Sequence, residues 1–316
     1  MGCRNFGLAV GVAMLLGGVA VEAAPLSNVT AGASYGSASD GPDSHVHGDP
    51  GSATAGADAG PGGYAFTVDE GVDLYDGASA RARSSLVSAL KQSSVGSYSH
   101  AGGYSPGFAP PLNRVEANST ATLNLSFIVH APAEITQAQL TLELGLDGSL
   151  LAASYGGASQ PGQVYAGVAM SVDTQSSLGN VNWFDASAEL DRFGGLTTSG
   201  PWAAAFANAT SSPFAVSYVT ADYNQEFIDL VTVPTNEVFT YVATLSTWAY
   251  VHGPFENWAV SDFFNTGTFD LTVTTPGLVL ERLPAAVPLP PAFMLLAAPL
   301  AALGARRRHA GSGRSA

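Results

Sequence analysis

The chain has 316 residues, of which 46% are hydrophobic and only 11% charged, with 36 Gly and 19 Pro, a turn-rich balance unlike that of a helical cytosolic enzyme. Its formal charge is −14, and between residues 24 and 286 the only cations are Arg81, Arg83, Lys91, Arg114, Arg192 and Arg282. With no basic cluster to neutralise phosphates, nucleic acid and anionic lipid are excluded as partners, and because the one cysteine, Cys3, precedes the first apolar run, the rest of the chain must be held by burial and not by disulfides.

At the N-terminus Arg4 is followed by an uncharged stretch from Phe6 to Val21, with small residues Val21 and Ala23 at the −3 and −1 positions of a cleavage site. This pattern predicts a signal peptide over residues 1–23, cut by signal peptidase between Ala23 and Ala24. An uncleaved anchor is the alternative, although the run falls below the ~20 residues of a comfortable span. Residues 24–63 are Gly, Ala, Ser, Asp and Pro with hardly a large apolar side chain, and read as a flexible arm. Residues 64–284 read as the extracellular domain. A short strand is expected at Tyr64–Val68 and a helix from Ala78 to Lys91, with Leu86, Val87 and Leu90 on one side.

From Thr120 onward the period is 2. Leu123, Leu125, Phe127 and Val129 alternate with polar residues, as do Leu140, Leu142, Leu144 and Leu146, which run into Asp147-Gly148, an expected hairpin turn. Val164 to Val172, Phe214 to Thr220, Phe227 to Val233, Phe239 to Leu245 and Phe269 to Val273 continue the series. Short alternating strands without intervening helices predict an all-β fold, an antiparallel β-sandwich of jelly-roll or immunoglobulin-like type.

Candidate chemistry is sparse. Gly32-Ala33-Ser34-Tyr35-Gly36 has the G-x-S-x-G form of a nucleophile elbow but lies in the arm, where no strand or helix is expected around Ser34. His45, His47 and Asp49 have the spacing of two imidazoles and a carboxylate converging on zinc. Asp69, Glu70, Asp73 and Asp76 form an acidic cluster able to offer hard oxygens to calcium, without the spacing of an EF-hand loop. Between residues 241 and 264 aromatic side chains concentrate. Trp248, Tyr250 and Trp258 are the candidate glycan contacts, because flat rings stack on sugar faces, and core packing is the competing role. Glu256 and Asp262 are the carboxylates a glycoside hydrolase could use there. Nothing points to a nucleotide, haem or redox cofactor.

The C-terminal 285–316 segment has Val287, Pro288, Leu289 and Pro290, then a mostly apolar stretch to Ala305, then Arg306, Arg307 and Arg308. The prolines hold the chain extended, the apolar stretch can enter a bilayer as a single helix, and the arginines keep the end in the cytoplasm. This tail resembles the PEP-CTERM sorting domain in its Val-Pro-Leu-Pro-Ala (VPLPA) variant, departing from it at Leu289, where Glu is usual, and by the extra Pro291. The resemblance covers about the last 25 residues and implies transient membrane insertion, processing by an exosortase, and delivery to the surface of a Gram-negative bacterium that makes exopolysaccharide. A permanent membrane anchor is the alternative. The resulting expectation is a noncatalytic surface or matrix protein without a cofactor, with a carbohydrate-binding module and a secreted metal-dependent or glycoside hydrolase as competing readings.

Overall fold

The computed structural model describes residues 27–35, 38–47, 51–60, 65–67, 73–75, 77–86, 94–103, 112–155, 162–204, 216–253 and 257–283. All belong to one compact unit, Pro25–Ala285. The expected signal peptide and sorting tail lie outside the described residues.

Among the described residues the fold is antiparallel β-structure, interrupted by a 3-10 turn at Gly200–Ala204. The strands are β1 (Ser27–Tyr35), β2 (Ala38–His47), β3 (Gly51–Ala59), β4 (Ala65–Thr67), β5 (Asp73–Tyr75), β6 (Gly77–Leu86), β7 (Ser94–Gly103) and β8 (Leu112–His130). They continue with β9 (Gln137–Tyr155), β10 (Gln163–Ser176), β11 (Gly179–Asp191), β12 (Leu196–Ser199), β13 (Val216–Pro234), β14 (Val238–Gly253), β15 (Asn257–Val273) and β16 (Val279–Leu283). The first sheet has the order β12-β11-β10-β14-β8-β1-β2, with β16 also on β8; the second runs β13-β9-β15-β7-β6-β3, and β4 pairs β5 separately. The two large sheets share one core, a sandwich-like arrangement.

The frame is a pair of ribbons. β8 pairs β14 in the first sheet while β9, its successor, pairs β13, the predecessor of β14, in the second. The chain changes sheet twice at one corner, between β8 and β9 and between β13 and β14. There Asn236 takes the left-handed conformation, φ 57°. Its side chain accepts from Ala131 N at 3.1 Å and donates to Ala131 O at 2.9 Å, and its own N–H donates to Val129 O at 2.7 Å. Asn tolerates this conformation better than other residues with a Cβ.

The core changes character along the strands. At one end it is Leu123, Leu125, Phe127, Leu140, Leu142, Leu144, Phe239, Tyr241 and Phe269. At the other it is Ala31, Ala33, Ala55, Ala57, Ala78, Ala80, Ala82, Ala101 and Ala117. Small side chains let the sheets approach: Ser99 Oγ of β7 donates to Thr247 O of β14 across the interface at 3.1 Å, and Thr247 Oγ1 lies 2.9 Å from Ser99 Oγ and 3.1 Å from Ser119 Oγ. A serine hydroxyl reaching a facing backbone means a separation well under the ~10 Å of ordinary stacked sheets.

This narrow end corrects several expectations. The flexible arm over 24–63 instead supplies β1, β2 and β3, because Ala55 and Ala57 alternate inward against exposed Thr54, Gly56 and Asp58. The helix expected at 78–91 is strand β6 as far as Leu86: Ala78, Ala80 and Ala82 repeat at period 2, and pairing with β3 and β7 overrides the helical propensity of Ala and Arg. Asp147-Gly148 is no turn. β9 runs through it, opposite Asn224 and Tyr223, and Gly148 is needed for space, since a Cβ there would lie 2.3 Å from the Phe263 ring.

The first and second sheets also meet along their edges β2 and β3. A register shift of β2 past Ala31 brings Asp40 and Asp43 to one edge, where Asp43 accepts from Gly56 N at 3.1 Å and Asp40 from Asp58 N at 3.0 Å. The Gly56 N–H, assisted by His45 at 3.1 Å, holds the Asp43 carboxyl below its usual range. A lowered carboxylate contributes its stabilisation above the unfolded pKa and loses it as pH falls through the folded one. Exchange protection of the Gly56 amide, corrected for intrinsic rate, is therefore expected to hold at neutral pH and to fall below the ordinary 3.8 of Asp43. At the corner, Asn236→Ala removes two hydrogen bonds and strains φ, and should cost about 2–3 kcal/mol in urea unfolding, with Asn236→Gly recovering part of it.

Candidate functional site

The outward face of the first sheet carries an aromatic platform above the narrow end of the core. Along β14, Leu245, Thr247, Ala249 and Val251 point inward, which puts Trp248 and Tyr250 outward, both half-buried. β10 behaves likewise: Val164, Ala166 and Val168 face the core, and Tyr165 and Gly167 face out. The register sets Tyr165 opposite Tyr250 and Gly167 opposite Trp248. The tyrosine ring centroids are 6.2 Å apart and tilted by 31°.

Trp248 is held in one orientation. A Cβ at Gly167 would lie 2.0 Å from indole Cε2, so the ring lies across the glycine backbone. The indole Nε1 donates to Glu189 Oε2 on β11 at 3.0 Å. With one face on the strand and the N–H engaged, the opposite indole face is the one offered to solvent. Beside it, the Arg114 guanidinium stands 5.3 Å from the Tyr250 ring centre and binds Glu116 at 2.7 Å through Nε.

Next to the platform is a shallow groove of about 350 Å³ between β1, β2 and β8. Its lining is mixed: the side chains of Thr30, Ser34, Asp40, Glu116 and Asn118 stand among apolar surface from Ala31, Ala33 and Pro42, with Gly32 between Thr30 and Ser34. Asn118 stands opposite Trp248 and Glu116 opposite Tyr250 in the β8–β14 pair, so groove and platform share a wall. Further along this face, hydroxyls bond across strands, as in Thr120 with Ser246 at 2.9 Å and Ser187 with Ser199 at 2.8 Å. The surface offers donors and acceptors with few formal charges.

Of the three aromatic candidates, the structure brings together Trp248 and Tyr250 and separates Trp258. Trp258 is on β15 in the second sheet, is 2% exposed, and its Nε1 has no hydrogen-bond partner among the described residues. Burial removes it from the glycan contacts. Tyr165, Gly167 and Glu189 escaped the sequence reading, although Tyr165 occupies the outward phase of an expected strand. Only the register reveals that it meets Tyr250.

Ser34 lies within β1, which pairs with β2 and β8, so the strand-to-helix elbow of a nucleophile is not what surrounds it. His45 is bonded to Asp43; of His47 only the backbone is described, and Asp49 lies outside the described residues. Asp69, Glu70 and Asp76 also lie outside them, and Asp73 begins β5. Among the described residues no three metal-ligating side chains cluster. Glu256 lies outside the described residues, and Asp262 accepts from Phe264 N at 3.1 Å. On the platform, Glu116 and Glu189 stand on strands three spacings, about 14 Å, apart. Glu116 is engaged by Arg114 and Glu189 by the indole.

No protein-family model matches this chain, and no curated protein matches it. A solved structure described as that of infectious bursal disease virus, Gx strain, aligns over 90% of this chain and 74% of its own at 9% identity. Its TM-score of 0.12 is too low for the alignment to carry any argument.

Gly167→Ala tests the seating of the indole. The added Cβ meets the ring at 2.0 Å, so the variant should keep its far-ultraviolet spectrum and shift its tryptophan emission, while an unchanged emission would show that the ring does not rest there.

Proposed function

We propose that this protein is a noncatalytic glycan-binding protein of the bacterial cell surface or extracellular matrix. The observation that carries the reading is the indole of Trp248, seated on Gly167 and tethered to Glu189, on an exposed sheet face beside Tyr250 and Tyr165. A pre-oriented ring stacks on the apolar face of a pyranose without losing rotamer freedom on binding. Neighbouring hydroxyls, Asn118 and the carboxylates suit sugar hydroxyls. The existing partners of Glu116 and Glu189 favour binding over hydrolysis, which needs an acid and a base facing each other across ~5–9.5 Å.

The sandwich is, on this reading, of jelly-roll kind. Its support is the corner at Asn236, where two antiparallel strand pairs fold together from one sheet into the other. Export by the signal peptide and exosortase processing at Val287–Pro290, with Arg306, Arg307 and Arg308 as the stop, are the proposed route to the exopolysaccharide layer; their support is the sequence of the tail.

The test is retention of the natively expressed protein in gels containing neutral polysaccharides, beside Trp248→Ala. The unaltered chain should be retarded and the variant should bind at least ~10-fold more weakly, a loss of about 1.4 kcal/mol. Equal retention of both, or retardation by no polysaccharide, would remove the basis of the proposal.

A further inference from the structure

We infer that the ligand is an extended, uncharged polysaccharide segment lying across the strands, with one sugar on Trp248 and its continuation in the groove between β1, β2 and β8. This rests on the glycan-binding reading above and names the class of glycan and the direction of the chain. Three observations carry it.

The first is continuity. Asn118 faces Trp248 on one side and pairs Gly32 on the other, so a chain leaving the indole face passes directly over β8 into the groove. The second is span. From β10 beneath the indole to β2 beyond the groove there are four strand spacings, about 19 Å, more than a single pyranose fills. The floor along this path is low: a Cβ added at Gly32 would meet only Pro42 Cα, at 3.9 Å. The third is charge. Glu189 on β11 flanks the start of the path, Glu116 and Asp40 lie along it, and Arg114 is bound to Glu116. A polyuronate would bring like charges against these carboxylates, whereas hydroxyls can donate to them.

The test is calorimetric titration of the full chain with ladders from disaccharide to hexasaccharide, prepared from glucan, xylan and mannan, and with a matching polyuronate ladder. A neutral ladder should gain at least ~10-fold in affinity with length, about 1.4 kcal/mol, and the polyuronate should not bind. Gly32→Phe, which fills the groove from its floor, should abolish the gain with length and leave disaccharide binding intact. Ser34→Tyr, outward on the same strand, serves as a second block should Gly32→Phe lose its circular dichroism spectrum. An affinity flat from the disaccharide onward, or polyuronate binding as tightly as the neutral ladder, would overturn the inference while leaving Trp248-dependent glycan binding standing. Failure of every ladder to bind would instead overturn the functional reading on which it rests.

Discussion

The register of β8 against β14 decides what this molecule presents to its surroundings. Side chains alternate strictly along a strand, so a slip of one residue would send Trp248 and Tyr250 inward and expose Leu245, Thr247 and Ala249. Two things pin the register. The wide end of the core accepts Leu123, Leu125 and Phe127 in one phase only, and the Asn236 corner ties the end of β8 to the start of β14 through Val129 and Ala131. The aromatic platform is thus set from a distance. Its rings sit over the narrow, alanine-lined end, yet their phase is fixed at the leucine-rich end of the same strands.

The narrow end has a consequence of its own. A core of Ala, Ser and Thr has little room between its sheets, so Trp248, Tyr250 and Tyr165 take the outer face of this end. Alanine burial removes little area from water, at ~25 cal/mol per Å², so this end also relies on hydrogen bonds. Ser99, Ser119 and Thr247 join the sheets internally, and Asp40 and Asp43 join them along the edge. The carboxylates occupy β3 N–H groups that an edge strand would otherwise leave open to pairing with another chain.

How much of this could be read from the sequence follows from side-chain size. Where the inward residues are Leu, Phe and Val, as in β8, β9 and β14, the period of 2 stands out and the all-β class is legible. Where they are Ala, as in β3 and β6, the same period is present at an amplitude too low to distinguish from a linker or a helix. Asp147-Gly148 misled because its turn chemistry is real, but the space above Gly148 is taken by Phe263, a contact between residues far apart in the chain. Among the aromatic candidates, sequence phase alone could not separate Trp248 from Trp258, since exposure depends on what covers each face. Tyr165, Gly167 and Glu189 join the site through strand pairing, which no local pattern encodes.

Glycan recognition on this sheet face rests on one of four tryptophans, Trp248, with Trp183, Trp202 and Trp258 all at least nine-tenths buried. The most direct measurement is the indole Nε1–H region of the nitrogen–proton correlation spectrum, followed as a neutral oligosaccharide is added. The resonance of Trp248, assigned through its loss in Trp248→Ala, should move with saturation while the other three stay in place. A saturating shift of the buried indoles with Trp248 unmoved would place the ligand elsewhere and contradict recognition through Trp248.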